Sequence, residues 1–127
     1  MLEEFADKPD PPLIAIVDDD EDVRQSLDTL VRSHGYDTAL FASADAFLAS
    51  PALTSVLCVV TDVQMPGTSG LQLARVVREG VGQPVILITA FPAPDLEEKA
   101  HLAGVTSVFR KPFDPDALMD EIARALD

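Results

Sequence analysis

Residues Leu13–Asp22 read LIAIVDDDED: five apolar residues run directly into five acids. The apolar half is rich in β-branched residues and does not alternate with polar ones. That is how a strand buried on both faces of a parallel sheet reads. Two further runs repeat the pattern, Val56–Val60 (VLCVV) and Val85–Ile88 (VILI), and Tyr36–Phe41 and Ser107–Phe109 are weaker strand candidates. Helical spacings fill the gaps. Val23, Leu27, Leu30 and Val31 share one face, with Gly35 following as a stop. Ser43 is placed to cap a short helix carrying Phe47 and Leu48. Leu71, Leu73, Ala74 and Val77 predict a third helix ending near Gly80, and Leu96, Ala100 and Ala103 a fourth stopped by Gly104. Asp114-Pro115 starts a fifth with proline at its first position, and Leu118, Ile122 and Leu126 form its stripe. Met119, beside that stripe, is a candidate exposed residue for a partner. Strand and helix alternate five times. The expected fold is therefore α/β, a single doubly wound (βα)5 domain whose five-stranded parallel sheet carries helices on both faces.

The chain's 127 residues fit one domain, which can bury roughly two-thirds of its unfolded surface. The expected domain covers residues 13–127. Residues 1–12, MLEEFADKPDPP, form a Pro-rich lead-in with neither the basic start nor the apolar core of a signal peptide. The longest apolar runs have five residues, against the ~20 needed to span a bilayer. A cytoplasmic protein is expected. The single cysteine, Cys58, excludes an internal disulfide and reads as a buried structural thiol. Net charge is −13, and without the run Asp18–Asp22 the chain still has 17 acids against 9 bases. The acidity is general. It argues against direct binding of nucleic acid and against an anionic membrane surface.

In open α/β sheets ligands bind beyond the carboxyl ends of the strands. Asp18 and Asp19 follow the first run, Thr61 and Asp62 the third, Thr89 ends the fourth, and Arg110 and Lys111 follow the fifth. Asp20, Glu21 and Asp22 sit where the first helix begins, where each acid is worth ~0.3–1 kcal/mol against free N–H groups and the helix dipole. Asp18 and Asp19 are left over, with Asp62 expected beside them. Two carboxylates ~4 Å apart repel by about 4 kcal/mol at an effective dielectric near 20. A hard divalent cation such as Mg²⁺ reverses that penalty, and Lys111 offsets the remaining charge. Carboxylates, a lysine and a hydroxyl around a metal suit phosphoryl transfer, which needs neutralisation and positioning more than covalent help. An aspartate can itself be the nucleophile.

The motifs VDDDEDVRQSL (17–27), VVTDVQMPGTSGLQL (59–73), VILITA (85–90) and VFRKPF (108–113) stand in one order and spacing. Together they resemble the receiver domain of two-component response regulators, over Ile14–Leu126. DVQMPGTSGL and RKPF are most similar to receivers that precede helix-turn-helix output domains. The resemblance implies strand order 2-1-3-4-5. It implies that Asp62 accepts a phosphoryl group from the phosphohistidine of a sensor histidine kinase. Asp18, Asp19, Asp62 and the backbone carbonyl of Gln64 would hold Mg²⁺. Lys111 would contact the phosphoryl group and the acids, Thr89 would hydrogen-bond a phosphoryl oxygen, and Pro112 would follow a cis peptide bond. The acid pair has a second register, Asp19 and Asp20; the spacing to Val23, Arg24 and Leu27 favours Asp18 and Asp19.

On the same resemblance the chain is a phosphoacceptor with self-catalysed phosphotransfer and slow autodephosphorylation, not a turnover enzyme. The first helix would dock the kinase. The surface of the fourth helix, fifth strand and fifth helix would switch, serving a homodimer or an output domain that binds DNA. Two departures stand out. Val108 occupies the place of the family's aromatic switch residue, and Phe109 next to it faces the other side of the sheet. Phe91, two residues after Thr89, replaces the acid or amide that some relatives use to orient a hydrolytic water, and is expected to shield the acyl phosphate. Pro92 and Pro94 should stiffen the loop that follows. Two alternatives stay open. One is a Mg²⁺-dependent phosphohydrolase, although haloacid-dehalogenase-like enzymes carry a second acid where this chain has Gln64. The other is a docking module that is never phosphorylated, which Val108 keeps alive. His34 and His101 are expected near helix surfaces without a metal or relay role.

Overall fold

The computed structural model describes residues 11–127, so most of the lead-in read from residues 1–12 lies outside the described residues. The elements alternate as expected. They are β1 (Leu13–Val17), α1 (Glu21–Ser33), β2 (Asp37–Phe41), α2 (Ala44–Leu48), a 3-10 turn (Pro51–Thr54), β3 (Cys58–Asp62), α3 (Gly70–Glu79), β4 (Val85–Thr89), α4 (Leu96–Leu102), β5 (Ser107–Arg110) and α5 (Pro115–Ala125). The strands form one parallel sheet in the order β2-β1-β3-β4-β5, the order the resemblance implied.

Alternation within each strand splits the core into two layers. Ile14, Ile16, Cys58, Val60, Ile86 and Ile88 pack with Leu27 and Val31 of α1 and with Leu118, Met119 and Ile122 of α5. On the other face Ala15, Val17, Val59, Val85 and Leu87 pack with α2, α3 and α4. Each helix begins where its sequence supplies a cap. Asp20, Ser43 and Asp114 each accept N–H bonds in the first turn, and Ser69 forms a reciprocal capping box with Gln72. α4 is the exception: Asp95 at its N-cap makes no side-chain cap bond.

Three expectations are corrected. β3 starts at Cys58, not Val56, because the Val56 N–H is held by the Ala52 carbonyl of the preceding turn at 3.0 Å. Thr61 and Asp62 belong to β3, and Arg110 to β5, instead of following those strands. Met119 is 5% exposed and is not available to a partner. With Leu118 and Ile122 it widens the apolar face of α5 beyond a single stripe, because that helix must cover the sheet.

Phe47 is fully buried, with Phe41 across from it at a ring-centroid distance of 5.2 Å. Phe47→Ala is expected to cost about 3–5 kcal/mol, read as a lowered urea midpoint with an unchanged slope.

Candidate functional site

The parallel register brings the strand ends to one edge. Val17 pairs with Thr61, Asp62 with Ile88, and Thr89 with Arg110. Asp18, the residue after β1, is 1% exposed. Its N–H donates to the Phe41 carbonyl at 3.1 Å, and its Oδ1 accepts from the Asp20 N–H at 2.9 Å. Its Oδ2 lies 3.3 Å from Lys111 Nζ. Asp62 accepts the Val63 N–H on Oδ1 at 2.8 Å, and its Oδ2 is 3.7 Å from the same ammonium. Oxygens of Asp18, Asp19 and Asp62 all lie within 4.8 Å of one another. Asp20 turns away: its Oδ1 accepts the N–H groups of Asp22 and Val23 at the start of α1. The geometry therefore groups Asp18 and Asp19 with Asp62, and leaves Asp20 as a cap.

Thr89 is buried, and its Oγ1 accepts the Phe91 N–H at 3.1 Å. Lys111 is tied to the same strand end, its N–H donating to the Thr89 carbonyl at 2.8 Å, and the Lys111–Pro112 peptide is cis as expected. Gln64 is exposed on the loop after Asp62. That loop is fastened at both ends. At its far end Gly70 N–H donates to the Val63 carbonyl at 2.9 Å, and a Cβ on Gly70 would lie 2.2 Å from the Asp62 carbonyl oxygen. Near its tip Thr68 Oγ1 donates to Asp45 Oδ1 at 2.6 Å, and Gly67, at φ +79°, passes against the same carboxylate.

Sequence reading missed two contacts here, the Asp45–Thr68 bond and an Arg24 Nη1 bond to the Asp18 carbonyl at 2.7 Å. Neither has a motif. Each joins a helix to a loop whose path only the folded chain defines.

Val108 packs in the layer of α2, α3 and α4 while Phe109 packs with α1 and α5, so Phe109 does not take over the aromatic position. Beside Val108 lies a cavity of about 320 Å³ lined by Pro92, Pro94, Leu96, Glu97 and Arg110. Phe91 is 74% exposed, so its ring stands in solvent and not over Asp62. His34 and His101 are exposed and apart from the acid cluster. Cys58 is buried, which pushes its thiol up to about 12 and leaves it unreactive. A second, apolar groove of about 420 Å³ runs between α1 and the start of α5, lined by Val23, Leu27, Leu30, Phe113 and Pro115.

Burial raises the Asp62 carboxyl above the usual range, and the neighbouring Asp18 raises it further; Lys111 and the N–H groups of Val63 and Gln64 offset this only in part. The folded chain thus holds this proton more tightly than the unfolded one. Its stabilising contribution is complete below the ordinary aspartate pKa and is lost as pH rises through the raised value. At neutral pH the ionised carboxylate costs stability. Asp62→Asn in metal-free buffer is therefore expected to unfold at a higher temperature than the parent chain at pH 7. The difference should shrink as pH falls below ~4, the ordinary aspartate range.

Similarity to known proteins agrees with this geometry. The model of the response regulator receiver domain matches residues 14–123. Over 115 residues the chain is 37% identical to the response regulator protein TodT of Pseudomonas putida, covering 90% of this chain and 51% of TodT. It is 35% identical over 114 residues to the transcriptional regulatory protein FixJ of Azorhizobium caulinodans, covering 89% of this chain and 54% of FixJ. The chain thus spans about half the length of the curated relatives it matches. The structure of the chemotaxis protein CheY4 of Vibrio cholerae is similar in fold, with a TM-score of 0.82 at 24% identity over 91% of this chain and 98% of that one. Matched from its first core strand into its last helix, the chain belongs to the response regulator receiver domain family, the signalling domain of two-component systems.

Proposed function

We propose that this receiver domain, residues 13–127, is a phosphoaccepting switch: Asp62 takes a phosphoryl group from the phosphohistidine of a sensor histidine kinase, with Mg²⁺ at the strand edge. The observation that carries the reading is the convergence of three carboxylates within 4.8 Å around a single lysine. That donor set fits a hard cation. It consists of oxygens, and the exposed Asp19 carboxylate is engaged by no other side chain or N–H among the described residues. Asp18, Asp19, Asp62 and the Gln64 carbonyl would hold the ion, which when bound supplies neutralisation for an incoming phosphoryl group.

The chain's own groups account for the rest. An Asp62 oxygen attacks phosphorus. The new P–O bond forms as the donor's P–N bond breaks, and the electron pair leaves with the imidazole, which takes a proton from solvent. Lys111, 3.7 Å from Asp62, pairs with a phosphoryl oxygen. Thr89 donates its hydroxyl hydrogen, for which the described residues offer no acceptor in the present state. Modification adds close to two negative charges at the edge. The α4–β5–α5 surface then changes and serves a homodimer or a DNA-binding output domain. The groove along α1 is the proposed seat of the kinase. The domain accepts and slowly loses one phosphoryl group and does not turn over substrate. We place it in the cytoplasm; among the described residues no helix is long and apolar enough to cross a membrane.

Intact mass after incubation with acetyl phosphate tests the reading. One added phosphoryl group is expected, absent without Mg²⁺ and absent in Asp62→Asn. No gain under any condition would leave a docking module that is never phosphorylated. In the same assay Phe91→Ala is expected to leave the lifetime of the adduct unchanged, because a ring in solvent shields nothing; a shortened lifetime would restore the shielding role.

A further inference from the structure

Arg24 lies on the second turn of α1, half-buried, and reaches back to the end of β1. Its Nη1 meets the Asp18 carbonyl at 2.7 Å, the length of a charge-assisted bond. It makes no salt bridge with Asp18, Asp19 or Asp62. The cation is thus used on the backbone, and Lys111 is left as the side-chain cation paired with Asp18 and Asp62 among the described residues. The carbonyl it holds belongs to the planar peptide that joins Asp18 to Asp19, so its direction helps set where the Asp19 side chain leaves the chain. Asp18 is almost wholly buried, and the described residues supply no other donor to that carbonyl. Loss of the guanidinium would leave a buried acceptor unpaired, and the turn would shift to satisfy it.

We propose that Arg24 is a positioning residue for the metal: by anchoring the Asp18 carbonyl it holds the β1–α1 turn so that Asp18 and Asp19 present their carboxylates together. This rests on the reading of the acid edge as a Mg²⁺ site. Charge and geometry here have opposite signs. A nearby guanidinium repels a divalent cation, so if Arg24 acted only through charge, its removal would tighten Mg²⁺ binding. If it acts through position, removal weakens binding despite the lost repulsion.

Calorimetric titration of MgCl₂ into the full chain separates the two. The parent chain is expected to bind and Asp62→Asn to bind more weakly. Arg24→Met should lose roughly tenfold in affinity, the low end of what partners behind a metal's ligands cost. Arg24→Lys, which keeps a charged donor, should recover most of that loss. Circular dichroism without metal establishes that the variants fold. Arg24→Gln, neutral and shorter, carries the same expectation should the methionine variant not fold. Equal or tighter Mg²⁺ binding by the neutral variant overturns the proposal while leaving the metal site standing. Absence of Mg²⁺ binding by the parent chain overturns both.

Discussion

β1 and β3 pair in parallel with Val17 opposite Thr61, so Asp18 and Asp62 leave the sheet side by side. Nothing local can separate them without breaking that register. The cost falls on Asp62: burial first, and then the neighbouring Asp18, disfavour its charged form. What holds them together is the two-layered core behind them, where apolar residues of both sheet faces are almost fully buried. Lys111 and the backbone N–H groups recover part of the electrostatic cost. The rest is drawn from packing, and the edge is a locally unfavourable arrangement sustained by a favourable interior.

The same logic explains how the acids divide their work. Five acids in a row look redundant in sequence. In the fold Asp20 completes α1, and Glu21 and Asp22 occupy its first turn, so the helix uses three of them. Asp18 is sealed beneath and Asp19 remains exposed. One short run thus both starts a helix and supplies two members of the acid cluster.

Much of this was legible in the sequence because buried parallel strands leave unbroken apolar runs, and the residues ending those runs must share an edge. Asp18, Asp62 and Thr89 could be placed for that reason, and Lys111 less directly, because β5 begins at Ser107 and is only partly buried. The beginning of β3 could not, since Val56 is as apolar as the strand but is held by the Pro51–Thr54 turn. The burial of Met119 stayed open because one stripe of i, i+4 spacing does not reveal how wide a helix face must be. Arg24 and Asp45 escaped because their contacts are to backbone or to loop, and such contacts depend on path rather than on periodicity.

Gly70 has a wider consequence. Its α-carbon lies so close to the Asp62 carbonyl that any side chain would collide with it. α3 is in effect built onto the backbone of Asp62, and the loop between them is fastened again at Asp45. The opposite flank is made differently, with a helix start lacking a side-chain cap, an open cavity beside Val108 and an aromatic ring in solvent. The edge is therefore closely packed on one side and open on the other. Toward α3 no side chain can be added at Gly70 without moving Asp62 itself, while toward α4 the fold leaves unfilled space.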